Sequence, residues 1–305
     1  MRIIKDRFVL AKWFVLTDKL GMGTMNNKLK LLFRSACISS LAIAFSIVIT
    51  GGPGGQAIAA SDVEEVFEKK QHKLDERHRE YVYGVPNVPT AEWVMSAGGR
   101  LFDNWMNALD KEAPEGNHPA WPASNTKKQG ANTWRCKACH GWDYKGVNGK
   151  YISGSWKTGI KGVMQKQGTT PDDMVAVLRD STHLYTKEML SDDNARWIGM
   201  FISRGLHDSD AYIDRKTGAT NGVASRGAKI FQNICASCHG FQGTKLDWGS
   251  DDDPAFVGTE ANANPWEVLH KIRNGHPGHE MVSMRPFPME VSVDILTYIR
   301  TLPEK

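Results

Sequence analysis

The pentapeptide Cys136-Lys-Ala-Cys139-His140 recurs later in the chain as Cys235-Ala-Ser-Cys238-His239. C-x-x-C-H is the attachment signature of a c-type haem, in which two cysteine sulfurs form thioethers with the haem vinyl groups. The histidine that follows directly lies under the ring and ligates the iron from the proximal side. The two motifs use four of the chain's five cysteines. The sequence therefore predicts two covalently bound haem c groups, with His140 and His239 as their proximal iron ligands.

Two other chemistries use paired cysteines. A zinc ribbon places its C-x-x-C pairs within roughly 20 residues of each other, whereas almost a third of the chain separates Cys139 from Cys235. Zinc would also leave both trailing histidines unexplained. A thioredoxin-like dithiol needs a βαβ context, and neither flank of the motifs has the pattern of a strand. Both alternatives are weaker than haem attachment.

Residues 1–60 are predicted to be a signal peptide, with translation starting at Met25. A segment rich in Lys and Arg precedes the apolar run 36–50, and Ala57-Ile58-Ala59 fits the small-x-small cleavage pattern. Cleavage there predicts a periplasmic protein without stable membrane insertion. An uncleaved anchor is the alternative, although the apolar run is shorter than the roughly 20 residues of a spanning helix. Cys37 lies inside this run and would leave with it.

Removal of the signal peptide would change the net charge of the protein. The formal net charge is +4, but residues 1–60 hold eight of the 38 Lys and Arg and two of the 34 Asp and Glu. The remaining chain therefore has a net charge of −2, which argues against a nucleic-acid partner. Residues 61–89 are strongly charged and are interpreted as an N-terminal arm, either solvated or docked on a larger complex.

The rest of the chain carries helix signals and no convincing strand, so the predicted fold class is all-α. Thr90 caps a predicted helix over residues 91–109, whose apolar residues fall mostly on one face. Thr170-Pro171 and Ser191 start two further helices. Residues 207–221 are polar and are interpreted as a linker. Beyond them one helix leads into Cys235, another opens at Asn264-Pro265, and residues 291–302 close the chain.

Residues 222–302 resemble a class I cytochrome c domain. The resemblance is carried by Gly227-Ala-Lys-Ile-Phe231, the second motif with Gly240, Ile272-Arg-Asn-Gly275, a methionine loop and Asp294-Ile-Leu-Thr-Tyr298. Residues 90–206 resemble the same family less closely, because a long insertion separates Gly99-Arg-Leu-Phe102 from Cys136. The resemblance implies two cytochrome c-like domains, 90–206 and 222–305, each wrapped around a covalently attached haem. It also implies that Gly227 or Phe231 meets Tyr298 where the first and last helices cross.

Haem iron in this family takes a methionine or a histidine on the distal side. In the second domain Gly275-His-Pro-Gly278 precedes Met281, which favours Met281. Met284 is the rival, because Val282 stands where the family has a proline and Met284 is followed by Arg-Pro286. In the first domain two spacings favour His183, whereas the spacing from the preceding helix end favours Met189. The predicted ligands are Met281 and His183, with Met284 and Met189 left open.

The resemblance implies electron transfer. The chain is interpreted as an exported dihaem electron carrier, or as the electron-carrying subunit of a periplasmic oxidoreductase or respiratory complex, with redox proteins as partners. A dihaem enzyme, peroxidase-like or thiosulfate-dehydrogenase-like, is the alternative and needs an iron with an open or displaceable site. Cysteine ligation is disfavoured, because the chain after residue 60 has no cysteine outside the two motifs. The sequence leaves open whether the protein is an enzyme.

Overall fold

The computed structural model describes residues 83–305; the predicted signal peptide, Cys37 and residues 61–82 of the predicted arm lie outside this range. Within it the chain forms nine α-helices joined by short 3-10 and π turns, with three isolated β-bridges and no strand. The prediction of an all-α, cytochrome c-like fold is confirmed. Among these residues no helix is both long enough and apolar enough to cross a membrane.

The helices follow a similar order around each motif, with one more helix after the second motif. They are α1 (Ala91–Leu109), α2 (Cys136–His140), α3 (Pro171–Leu178), α4 (Asp192–Met200), α5 (Ala224–Ile230), α6 (Ala236–His239), α7 (Val257–Ala263), α8 (Pro265–Asn274) and α9 (Met289–Ile299). A π turn (Phe201–Gly205) extends α4, and a second one (Phe231–Cys235) joins α5 to α6. The predicted continuity between Gly227 and Cys235 is therefore present, with a π turn inside it.

Local sequence signals account for several helix starts. The Thr90 hydroxyl accepts a hydrogen bond from the Trp93 N–H at 3.3 Å, and Pro171 occupies the first turn of α3. Ser191 and Asn194 form a reciprocal capping box at α4, which satisfies amide groups that a helix N-terminus otherwise leaves unpaired. Helix α7 was not predicted, because no Ser, Thr, Asp or Asn precedes it at the N-cap; Phe256 stands there instead.

In the first core, α1 crosses α4 at a glycine. A Cβ atom on Gly98 would lie 2.0 Å from the carbonyl oxygen of Trp197, so the two backbones approach too closely for any other residue. One turn further along, the rings of Phe102 and Phe201 pack with their centroids 5.5 Å apart. This crossing closes the core around α1, α3 and α4.

The second core repeats this crossing with α5 and α9. A Cβ atom on Gly227 would lie 1.9 Å from the carbonyl oxygen of Asp294, and the rings of Phe231 and Tyr298 pack edge to face at 5.5 Å. The contact expected between Gly227 or Phe231 and the closing helix is confirmed. In both halves the glycine stands four residues before the phenylalanine (Gly98 and Phe102; Gly227 and Phe231). The residue whose carbonyl oxygen faces that glycine likewise stands four residues before the aromatic residue that packs on the phenylalanine (Trp197 and Phe201; Asp294 and Tyr298).

Residues 90–206 and 222–305 are also joined to each other by buried hydrogen bonds. The Tyr144 hydroxyl donates to Nδ1 of His270 at 2.8 Å, and Nε2–H of His270 donates to the carbonyl oxygen of Gly99 at 2.8 Å. Arg100 Nη1 donates to the carbonyl oxygen of Asn274 at 2.6 Å. Tyr144 and His270 are wholly buried. The two halves therefore share polar groups that neither half satisfies by itself.

The predicted linker, residues 207–221, packs on the second half. Ile213 is buried in the second core. The hydroxyl groups of Thr297 on α9 and Thr220 lie 2.8 Å apart. Ile213, the partly buried Tyr212 and the Thr220 hydroxyl therefore tie the segment to this half. Lys145, which pairs with Asp208 and Asp210, ties it to the first half.

Candidate haem-binding sites

The two C-x-x-C-H motifs adopt the same local structure. Each forms a short helix that ends at the following glycine, whose φ is 81° in the first motif and 80° in the second. Each is then closed by a return hydrogen bond of 2.9 Å, from Gly146 N–H to the His140 carbonyl and from Lys245 N–H to the His239 carbonyl. The left-handed φ suits glycine in particular, because it has no Cβ. Both motifs thus end in the same backbone turn.

The first motif faces a cavity of about 290 Å³. Its polar lining includes Cys136, Cys139, His140 and His183, and its walls are mainly apolar: Phe102, Met174, Leu178, Ile198 and Ile202. Burial raises the pKa of both cysteine thiols to about 12, so they are uncharged at neutral pH. The size approaches the lower end of typical ligand pockets, roughly 300–1,000 Å³. An apolar group held through two sulfurs and a histidine fits this lining.

His140 and His183 face each other across this cavity. Nδ1 of His140 donates to the Lys161 carbonyl oxygen at 2.7 Å, which leaves Nε2 with its lone pair. Burial lowers the pKa of His140 to about 4, so the ring is neutral. The His183 ring lies with its centroid 6.4 Å from that of His140 and with the planes inclined by 27°. Both imidazole rings therefore border the cavity that the two cysteines line.

Two residues that the sequence analysis did not identify hold His183. Oδ1 of Asp180 accepts from Nδ1–H of His183 at 3.1 Å, which again leaves Nε2 free. The buried His118 accepts the Ala120 N–H on Nδ1 at 3.1 Å and donates from Nε2 to the His183 carbonyl at 2.8 Å. His118 lies in a polar loop far from His183 in sequence, so no local pattern could have indicated this contact.

Met189 does not line the first cavity. It is partly buried against the apolar core, and its carbonyl oxygen accepts a hydrogen bond from Lys111 Nζ at 3.1 Å. Of the two distal candidates in this half, the folded chain therefore brings His183, and not Met189, to the cavity.

The second motif faces a cavity of about 370 Å³. The lining includes the motif residues Cys235, Cys238 and His239, both candidate methionines Met281 and Met284, the histidines His276 and His279, and the apolar residues Ile234, Leu246, Trp248, Ile272 and Val282. Met284 is almost fully buried, whereas Met281 is partly buried. The carbonyl oxygen of Met281 accepts a hydrogen bond from the Tyr83 hydroxyl. Both methionines are thus available to the same cavity.

His239 lacks the backbone partner that His140 has. Its Nδ1 atom is buried and has no hydrogen-bond partner in the described chain. An unpaired buried polar atom costs ~1–3 kcal/mol, so His239 is held less firmly than His140, whose Nδ1–H is hydrogen-bonded. The two cysteine pairs line separate cavities. A single four-cysteine zinc site, the alternative reading of the sequence, does not fit that arrangement.

A buried ionic cluster connects the wall of the first cavity to α8. Arg135 lines that cavity and pairs with the carboxylate of the fully buried Asp103. Lys271 Nζ lies 3.9 Å from the other Asp103 oxygen and 2.6 Å from Glu267. Burial alone would raise the pKa of Asp103, but Lys271 and Arg135 hold it well below its usual range. Opposite charges in this cluster therefore compensate one another.

Known proteins are similar to part of this chain. A family profile described as "Cytochrome C oxidase, cbb3-type, subunit III" matches residues 222–299. The chain is also 31% identical over 93 residues to a Synechocystis sp. protein described as "Cytochrome c-553-like"; the aligned part is 30% of this chain and 81% of that protein. No solved structure matches significantly. The helical fold, the attachment motif and this similarity together show that the chain belongs to the c-type cytochromes, electron-transfer proteins that bind haem c covalently.

Proposed function

We propose that this protein is an exported dihaem c-type cytochrome that carries electrons to or from a periplasmic oxidoreductase or respiratory complex. The observation that carries the proposal is the duplicated site. Two C-x-x-C-H motifs with the same return hydrogen bond face two separate cavities, and each lies beside its own glycine–phenylalanine helix crossing. Haem supplies one-electron redox chemistry when bound, and the protein supplies orientation and electrostatics.

The first haem would be held by Cys136 and Cys139, with His140 and His183 as its axial ligands. The support is the pair of imidazoles that line one cavity, in each of which Nδ1 is hydrogen-bonded and Nε2 has no partner in the described chain. Hydrogen bonds to the far nitrogen orient a ligating histidine and increase its basicity. Because Asp180 and His118 both hold the His183 segment, an easily displaced His183 is disfavoured, and so is the peroxidase-like alternative that depends on it.

The second haem would be held by Cys235 and Cys238, with His239 and Met281 as axial ligands. The loop before Met281 turns at Gly275 and Gly278, whose φ values are 88° and 78°. Tyr83 ties the loop through the Met281 carbonyl. Met284 lines the same cavity and stays the rival, which substitution can separate.

Unequal distal ligands would give the molecule a direction for electron flow. A methionine thioether raises the potential of haem iron relative to a second histidine. The first haem would then have the lower potential, and electrons entering there would pass to the second. The rim of the second cavity carries exposed apolar side chains, including Trp248 (49% exposed) and Val282 (56%). These support a redox protein as the partner at that end.

Haem counting tests the proposal. We expect two haems per chain in the purified protein by the pyridine haemochrome assay. The matched pairs Cys136→Ala with Cys139→Ala, and Cys235→Ala with Cys238→Ala, should each leave one. Met281→Ala should remove the weak absorption band of sulfur-to-iron ligation, whereas Met284→Ala should retain it. One haem in the unmodified protein would contradict the dihaem proposal, and mass spectrometry of the same sample would show whether residues 1–60 have been removed.

A further inference from the structure

A third cavity, of about 340 Å³, contains none of the motif residues. It lies between the segment after α4, residues 204–212, and residues from either end of the methionine loop. Three arginines line it, Arg204, Arg273 and Arg285, together with His207. Burial and the nearby Arg285 hold the pKa of His207 well below its usual range, so that ring is neutral. The lining therefore has three positive charges from arginine alone.

Two of these arginines are buried without a counter-charge. Arg273 and Arg285 are 9% and 8% exposed, and within residues 83–305 neither forms an ion pair with a carboxylate. Arg273 donates to the carbonyl oxygens of Met284 (2.9 Å) and Phe287 (2.8 Å). Arg285 donates from Nε and Nη2 to the Asn274 side-chain oxygen at 3.1 and 2.6 Å. All these acceptors are neutral, in contrast to the compensated cluster around Asp103.

The nearby acidic residues do not supply the missing charge. Asp208 lines the cavity, but its Oδ1 accepts from Lys145 Nζ at 2.6 Å. Glu290 influences the pKa of Arg273 without pairing with it. Burial and the adjacent Arg273 lower the pKa of Arg285 to about 10, which still leaves it charged at neutral pH. Burying a charge is costly unless it is paired, so this arrangement is compensated best by an anion from outside the chain.

We propose that this cavity is a binding site for a small oxyanion of the sulfate, phosphate or carboxylate type, held by Arg204, Arg273 and Arg285. The planar guanidinium group matches such oxyanions with paired N–H donors. Arg285 Nη1 has no acceptor in the described chain and lies beside Gly205, which forms part of the cavity wall. Arg204 is exposed at the cavity edge, where it can meet an entering anion.

Binding here would act on the second haem site, a consequence that rests on the proposed function. Arg273 holds the Met284 carbonyl, and Met284 lines the second cavity. A bound negative charge favours ferric over ferrous iron, so the anion should lower the reduction potential of the second haem. By thermodynamic linkage the oxidised protein should bind the anion more tightly than the reduced protein. The site would thus couple anion concentration to electron release.

Calorimetric titration of the full haem-loaded protein with sodium sulfate tests the site, with sodium chloride keeping the ionic strength constant. We expect one saturable site per chain. Arg204→Gln should weaken it about tenfold, because the substitution removes one charge-assisted hydrogen bond at the exposed edge of the cavity. Arg196→Gln is the matched control: this α4 arginine is exposed, lies outside the cavity and carries the same charge. Phosphate and acetate titrations then separate tetrahedral from planar oxyanions.

Several results would overturn the proposal. The absence of saturable sulfate binding would mean that something else, such as the carboxylates of the bound haem, already compensates the guanidinium groups. Equal weakening in Arg204→Gln and Arg196→Gln would indicate general screening. Arg285→Gln, checked for folding by circular dichroism, should abolish binding if the buried pair forms the site. Saturable binding with an unchanged haem potential would support the site and overturn its coupling to the haem; haem counting tests the proposed function separately.

Discussion

Asp180 and His118 hold the candidate ligand His183 from two directions. Asp180 Oδ1 accepts the backbone N–H groups of Thr182 and His183, both at 2.8 Å, as well as His183 Nδ1–H. The slight burial of Asp180 raises its pKa, but these hydrogen bonds lower the pKa by more. The carboxylate is therefore ionised at neutral pH. A carboxylate that accepts a hydrogen bond from the non-ligating nitrogen of an axial histidine increases electron donation to iron. It thereby favours the ferric state.

Replacement of Asp180 by Asn tests this role. Asn can still accept from His183 but carries no charge, so the first haem should be retained with a higher reduction potential. We expect a rise of a few tens of millivolts, less than the ~59 mV of a tenfold change for one electron, because solvent screens the exposed Asp180. Potentiometry with EPR of the ferric haems measures it. The control is Asp173→Asn on α3, which removes the same charge from an exposed site; equal shifts in both variants would contradict a specific role.

At the scale of elements, two glycines set the closest approach of the crossing helices. Gly98 and Gly227 each face a backbone carbonyl oxygen of the closing helix, at 2.0 and 1.9 Å from the position that a Cβ would occupy. Alanine has the higher intrinsic helix propensity by about 1 kcal/mol, so glycine at these two positions is retained against local preference. The reason is tertiary, since any side chain would push the helices apart.

Gly227→Ala should therefore destabilise the protein. Overpacking costs ~1–3 kcal/mol, and we expect a value near the upper end, because a rigid backbone atom stands in the way. Urea unfolding followed by circular dichroism measures the change. Lys229→Ala, an exposed position on the same helix, should stay within ~0.5 kcal/mol of the unmodified protein. A Gly227→Ala variant as stable as the control would show that α5 and α9 do not cross here.

At the scale of the whole molecule, the contact between the two halves limits their independence. A fragment of residues 222–305 should still attach one haem, since its motif, cavity and closing helix are all present. It should melt at a lower temperature than the full chain, because His270 and Asn274 lose their partners Tyr144, Gly99 and Arg100. The full chain with Cys136→Ala and Cys139→Ala is the matched control, which keeps the contact and lacks the first haem. A fragment without haem would contradict the division into two domains.

The same contact predicts a loss of stability in acid. Burial lowers the pKa of His270 from 6.5 to about 4, so below pH 6.5 the unfolded chain binds a proton that the folded chain does not. The contribution of His270 to the free energy of unfolding is fully present above pH 6.5. It falls by about 3 kcal/mol as the pH drops to 4. Asp143, whose pKa burial raises, acts in the opposite direction.

Urea unfolding at pH 7.5, 6.5, 5.5 and 4.5, about one measurement per pH unit, measures this loss of stability in acid. His270→Gln should lower stability at neutral pH, because the bond from Tyr144 is weakened. It should also lose less stability between pH 6.5 and 4.5 than the unmodified protein. The same acid loss in both proteins would assign the effect to other groups.

Much of this protein could be predicted from local sequence. The haem attachment motifs, the all-α class and the starts of α1, α3 and α4 depend on residues close together in the chain, where a capping side chain or a cysteine spacing acts directly on its neighbours. The approach of the closing helix at Gly227 followed from a family resemblance. Helix α7 escaped prediction because Phe256 occupies the position where a polar cap is the usual signal.

Other features were decided by tertiary structure alone. Spacing along the chain favoured His183 and left Met189 as its rival, and only the path of the folded loop brings His183, and not Met189, to the first cavity. The bond from Tyr144 to His270 and the gathering of Arg204, Arg273 and Arg285 join residues that are far apart in sequence. Short-range patterns determine which chemistry a segment can perform. The packing of the helices determines which distant side chains contact that segment. Packing brings these side chains within hydrogen-bonding distance and excludes the water that would otherwise screen them.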